Sequence, residues 1–108
     1  MKALLDYAVA LDEQNACKIA SLFSEDCYFS DGALRPLGYP DMVARTPNEL
    51  EKIFLALFKK SQVSVKIKQM FPHAMLYTVT INEKELFCIS CATLSDEGQI
   101  KEYIIRTF

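Results

Sequence analysis

The chain has 108 residues, 51% hydrophobic and 24% charged, with a formal net charge of -2. That length holds a single hydrophobic core, so one domain over residues 1–108 is expected. It contains no basic block and no apolar run of membrane-spanning length, so neither nucleic acid nor membrane is an expected partner.

Residues 1–12 carry apolar side chains at helical spacing, with Leu4, Tyr7, Ala8 and Leu11 on one stripe. Asp6 and Asp12 interrupt that stretch, which argues against a secretion leader and makes a cytoplasmic protein the expectation. Asn15 caps a second predicted helix reaching Phe23, closed by Ser24, Glu25 and Asp26. A short β-prone run from Cys27 to Ser30 follows, and Asp31-Gly32 signals a turn at its end. Residues 33–45 hold Pro36, Gly38 and Pro40 but also Leu34, Leu37, Tyr39, Met42 and Val43. That is too apolar for a solvated loop and reads as a flap packed over something.

Thr46-Pro47-Asn48-Glu49 combines an N-cap, a proline at the first helical position and a capping box. The helix it opens is predicted to reach about Lys60, with Leu50, Ile53, Phe54, Leu57 and Phe58 as its apolar stripe. From Ser61 the period changes to two. Val63, Val65 and Ile67 lie on one face of a strand that Pro72-His73 breaks, and Met75, Tyr77, Val79 and Ile81 lie on one face of the next. Turns at Asn82-Glu83-Lys84 and Asp96-Glu97-Gly98 separate two further strands, Leu86 to Leu94 and Gln99 to Phe108.

Cys88 and Cys91 form a C-x-x-C spacing. On a strand, positions three apart face opposite ways, so they are not expected to bridge or chelate. The one histidine, His73, sits in a turn without a partner, and no metal site is expected. The four cysteines read as buried, reduced thiols.

Three N-terminal helices followed by strands predict an α+β fold. Its form would be a curved antiparallel sheet with the helices on one face, bent into a cone. The last two strands are apolar on both faces, Phe87 and Ile89 opposing Cys88 and Ser90 in parity. A homodimer through the sheet would cover the outer face.

This element order resembles the nuclear-transport-factor-two-like superfamily, also called polyketide-cyclase-like or cystatin-like. The segment D-Y-A-V-A-L-D-E-Q-N-A-C-K-I-A-S-L-F-S-E-D-C-Y-F-S-D, ending at Asp31, is similar without a gap to the start of bacterial ketosteroid isomerase. The resemblance implies that Asp31 shuttles a proton on carbon and that Tyr7 donates a hydrogen bond to the developing enolate. It puts the second, acidic donor of that family at Ser90, and the tyrosine that supports the first donor near Phe54. Neither position keeps the family's residue.

Each candidate has a plainer role beside its chemical one. Asp31 would cap backbone amides in an Asp-Gly turn, and Tyr7 would be an ordinary core tyrosine. Ser90 would merely be small, and Tyr77 or Tyr103, of inward parity, would supply the missing donor or serve as wall. Phe54, Phe58, Met75, Tyr77, Val79 and Tyr103 form the expected ligand-binding wall, and equally a plain core. Arg35 and Arg45 flank the flap, where they would meet an anionic ligand or simply be solvated. The expected function is an isomerase, cyclase or dehydratase acting on a small apolar carbonyl compound without cofactor. The alternative is a non-catalytic domain that binds a small hydrophobic ligand or a partner chain.

Overall fold

The computed structural model describes residues 2–107. Met1 and Phe108, the outer ends of the first predicted helix and last predicted strand, lie outside the described residues. The fold is α+β, with a six-stranded mixed sheet and three α-helices. In chain order these are α1 (Lys2–Asp12), α2 (Ala16–Ser21), β1 (Phe23–Asp31), β2 (Met42–Ala44), α3 (Pro47–Lys60), β3 (Val63–Met70), β4 (Ala74–Ile81), β5 (Lys84–Leu94) and β6 (Ile100–Thr107).

The local signals act as the sequence predicts. The Asn15 side chain accepts from the Lys18 amide at 3.0 Å, and Thr46 accepts from the Glu49 amide at 3.1 Å. Glu49 reaches back to the Arg45 amide at 2.7 Å. Asn82 and Glu83 both adopt positive φ, 49° and 75°, as a two-residue hairpin between Ile81 and Lys84 requires. Gly98 takes φ 84° in the second hairpin.

Three expectations about chain layout are corrected. α2 ends at Ser21, and Phe23 through Asp26 belong to β1, whose pairing with β6 shifts register between Phe23 and Tyr28. The sheet is not wholly antiparallel, because β1 runs parallel to β6. Apolar alternation specifies which face a strand buries, not the direction of its neighbour. Third, the flap contains a strand: Met42–Ala44 pairs with Phe29–Asp31 beyond a 3-10 turn at Arg35–Leu37.

The strand order β2-β1-β6-β5-β4-β3 places β1 and β6 beside each other in the sheet. Their register aligns Asp31 with Ile105, Ser90 and Met75 in one row across four strands. The helices cover this face. Leu4, Tyr7 and Leu11 of α1, Ile19 of α2, and Leu50 and Phe54 of α3 are buried on it, each large apolar side chain contributing about 2 kcal/mol relative to exposure. At the β3 edge, Asp12 accepts from the Val65 amide at 2.8 Å and Gln14 accepts from the Val63 amide, so the end of α1 satisfies an open strand edge.

The cysteines also depart from expectation. All four are free, but only Cys27 and Cys88 are buried, whereas Cys17 and Cys91 are exposed. Cys91 lies three residues from Cys88 on one strand and therefore faces outward. Among the described residues no helix is long and apolar enough to cross a membrane, and no three potential metal ligands gather at one point.

Candidate active site

Asp31 ends β1 on the covered face and is only 5% exposed. Its Oδ1 accepts from the Ala33 amide at 2.8 Å, the short-range turn bond typical of Asp before a turn. Among the described residues Oδ2 receives no hydrogen bond. Burial pushes the carboxyl up from its ordinary 3.8 to about 6. The Ala33 amide and the Arg106 guanidinium oppose that rise, while the Asp41 carboxylate adds to it.

Tyr7 projects from α1 into the same core and is fully buried. Its ring stands edge-on to Phe23, Phe54 and Tyr103. Among the described residues its hydroxyl is the one buried side-chain polar atom with no hydrogen-bond partner. Burial, and next the Asp31 carboxylate, hold the phenol well above its ordinary range, so it is a neutral O–H donor at physiological pH.

Ser90 and Tyr103 satisfy each other. The Tyr103 hydroxyl donates to Ser90 Oγ at 3.0 Å, and Ser90 Oγ donates to the Met75 carbonyl at 3.4 Å. Ser90 lies two strands from Asp31, separated by Ile105, a distance on the order of 10 Å at ordinary strand spacing. Tyr77 is buried beside the Cys88 thiol, and burial raises both groups, the thiol to about 12.

Two hollows lie near these groups. The inner one, about 20 Å³, is lined by Asp31, Phe54, Tyr77 and Val79 among others, room for roughly one water. The outer one is an open groove of about 590 Å³ between the flap, α3 and the β4–β5 hairpin. Leu34, Met42, Leu57 and Ile81 line both and form a neck between them. Of the remaining expected wall residues, Met75 and Tyr103 lie in the closed core, and Phe58 packs partly buried against it. Tyr7 lines neither hollow.

The arginines of the flap have partners. Arg35 makes a two-pronged ion pair with Asp41, both contacts 2.6 Å. Arg45 stacks its guanidinium 4.9 Å above the centre of the Tyr28 ring. His73 is exposed in the β3–β4 turn.

Neither a protein-family model nor a curated protein sequence matches the chain. Solved structures do. An NTF2-like protein of unknown function from Cytophaga hutchinsonii superposes with a TM-score of 0.73 at 16% identity, covering 98% of this chain and 87% of that one. A proposed ketosteroid isomerase from Kribbella flavida gives a TM-score of 0.76 at 11% identity, covering 99% and 76%. The epoxide hydrolase/cyclase-like enzyme SalBIII, which has a role in pyran ring formation in the polyether salinomycin, gives 0.73 at 13% identity, covering 99% and 88%. The chain has the cystatin-like, NTF2-like fold. At such identities the likeness concerns architecture, not chemistry.

Within this NTF2-like fold, three site features leave little or no signal in the sequence. Arg106, which acts on the Asp31 carboxyl, reads as an ordinary strand cation until β1 is placed beside β6. The Tyr103–Ser90 bond joins residues 13 positions apart on paired strands. The Arg35–Asp41 clasp closes over Gly32, where a Cβ would come within 3.0 Å of Arg35 Nε and 3.2 Å of Asp41 Oδ1. The R-P-L-G-Y-P-D spacing was its only trace.

Proposed function

We propose that this protein is a proton-transfer enzyme of the isomerase, cyclase or dehydratase kind, acting on a small apolar carbonyl compound in a cone-shaped cavity. The observation that carries this reading is the Asp31 carboxyl, buried yet titrating at about 6. A base poised there is ionised at neutral pH and still able to return the proton it takes. The unpartnered Tyr7 hydroxyl in the same core supports it, as a neutral donor available to a negative oxygen. Structural neighbours described as a ketosteroid isomerase and as an epoxide hydrolase/cyclase-like enzyme are consistent with that kind of chemistry.

In this reading the Asp31 carboxylate takes a proton from the carbon next to the carbonyl. The C–H electron pair moves into the new C–C double bond, and the carbonyl oxygen gathers the charge. Tyr7 stabilises that oxygen through its O–H. Protonated Asp31 then returns the proton to a carbon further along, regenerating the carboxylate. An inner hollow of about 20 Å³ does not hold a substrate, so entry requires the neck residues Leu34 and Met42 to move with the flap. No step calls on a metal or cofactor.

The small inner hollow and the internally satisfied Ser90 favour a second reading, a non-catalytic domain that binds a hydrophobic ligand or partner chain. Under either reading we propose a homodimer through the outer sheet face, where Phe87 and Ile89 are exposed. The four free cysteines suit a reducing compartment such as the cytoplasm. Turnover of a β,γ-unsaturated ketone by wild type and Asp31→Asn separates the two readings. The enzyme reading expects a large loss in the variant, and equal rates would remove Asp31 from the chemistry.

A further inference from the structure

The outer groove has a charge pattern that the proton-transfer reading does not use. Its floor is apolar, with Leu37, Ile53, Leu57 and Ile81, and its volume of about 590 Å³ falls in the ordinary range for small-molecule sites. Two cations line it: Lys60, from the last turn of α3, and Lys84, from the start of β5. Among the described residues neither makes an ion pair. The Asn82 amide donates to Ser61 Oγ at 3.4 Å, which joins the end of α3 to the β4–β5 hairpin, and both residues belong to the groove lining. Among the described residues Asp41 is the one acidic side chain lining the groove, and Arg35 neutralises it. In a chain of net charge -2, the charged residues of the lining are thus two lysines and one neutralised aspartate.

The Leu34, Met42, Leu57 and Ile81 neck leads from the groove to Asp31. Leu57 lies one turn of α3 before Lys60 and Ile81 pairs with Lys84, so both lysines stand on the groove side of that neck. An anionic group driven through the neck would meet a buried carboxylate, and one left in the groove meets two lysines. We propose that the groove takes an amphipathic anion, an apolar chain lying along Ile53 and Leu57 with its carboxylate between Lys60 and Lys84. The proposal deepens the enzyme reading and rests on it for one consequence: the substrate is a keto acid whose carbonyl lies remote from its carboxylate. The acid stays at the rim while the carbonyl end enters the neck.

The test is calorimetric titration of the whole protein with decanoate and with decanol, which share a chain and differ in charge. Wild type is expected to bind decanoate more tightly than decanol. Lys60→Gln combined with Lys84→Gln is expected to weaken decanoate binding about fivefold, the worth of two exposed charge contacts, and to leave decanol unchanged. Ala56→Trp, which fills the groove lining, should abolish both. Equal affinity for the two probes, no effect of the lysine substitutions, or no binding by wild type overturns the proposal. So does decanoate binding that falls as protein concentration rises, the sign of a second copy of the chain seated there. Ketone turnover without decanoate binding sinks only the groove assignment. Decanoate binding with equal turnover by wild type and Asp31→Asn sinks only the reading of Asp31 as the base.

Discussion

Tyr7 and Tyr103 meet edge to face, ring centres 4.8 Å apart, yet their hydroxyls differ in one respect that decides their roles. Tyr103 donates to Ser90, whereas the Tyr7 hydroxyl has no partner among the described residues. A buried unpaired hydroxyl costs about 1–3 kcal/mol. Tyr7→Phe should therefore raise stability by about 1 kcal/mol in urea unfolding. If Tyr7 stabilises the developing enolate, the same change should lower turnover by roughly a hundredfold. Tyr103→Phe should instead destabilise by about 1 kcal/mol, because a made hydrogen bond is lost. Two variants moving stability in the same direction would contradict this assignment.

Asp31 makes stability depend on pH with a definite sign. Its folded carboxyl titrates at about 6, above its ordinary 3.8. Between those values the folded state binds more protons than the unfolded chain, so stability is highest at the acid end and falls as pH rises. The loss is complete above about pH 6 and amounts to about 3 kcal/mol for a shift of this size. Asp31→Asn keeps an oxygen for the Ala33 amide and carries no charge. It should be more stable than wild type at pH 8 by up to about 3 kcal/mol, with the gap closing below about pH 4. Denaturant midpoints at several pH values measure it.

The same titration governs rate. Under the enzyme reading, kcat/KM for a β,γ-unsaturated ketone should rise with pH through about 6 and level off above it, as the carboxylate form fills. Asp31→Asn should abolish that inflection together with most of the rate. A flat profile in wild type would assign the base elsewhere.

Gly32→Ala probes the flap. The added methyl would crowd the Arg35–Asp41 clasp from 3.0 and 3.2 Å, so the ion pair must give by a few tenths of an ångström. Amide hydrogen exchange should quicken over residues 33–41 and stay unchanged in β4 and β5. Unaltered exchange in the flap would show that the clasp does not hold it.

Ile89, on the outer face of β5, is 41% exposed. If two copies pair through this face, Ile89→Asp should convert a dimer to a monomer in sedimentation at micromolar protein. A wild-type monomer at that concentration would refute the pairing.

How much of this was legible from the chain differs from feature to feature. Caps at Asn15 and Thr46, the Asn82-Glu83 hairpin, the inward parity of Tyr77 and Tyr103, and Asp31 at a strand end all follow from signals within a few residues. Such signals are local chemistry: a side chain reaching its own backbone, or a period of two or 3.6. β2 has no such signal, because three residues between two prolines and a capping box carry too little periodicity.

Local patterning was enough to place most helices and strands, the face each one buries, and the carboxyl and the phenol along the chain, though not β2 or the start of β1. It took the folded chain to set β1 parallel to β6, to desolvate Asp31 beside Arg106, and to pair Ser90 with Tyr103 instead of Tyr7. The reason is that backbone pairing is nearly blind to side-chain identity, so alternation cannot choose a neighbour. A carboxyl's affinity for its proton depends on the water and charges removed or gathered around it by distant segments, and no local stretch encodes those.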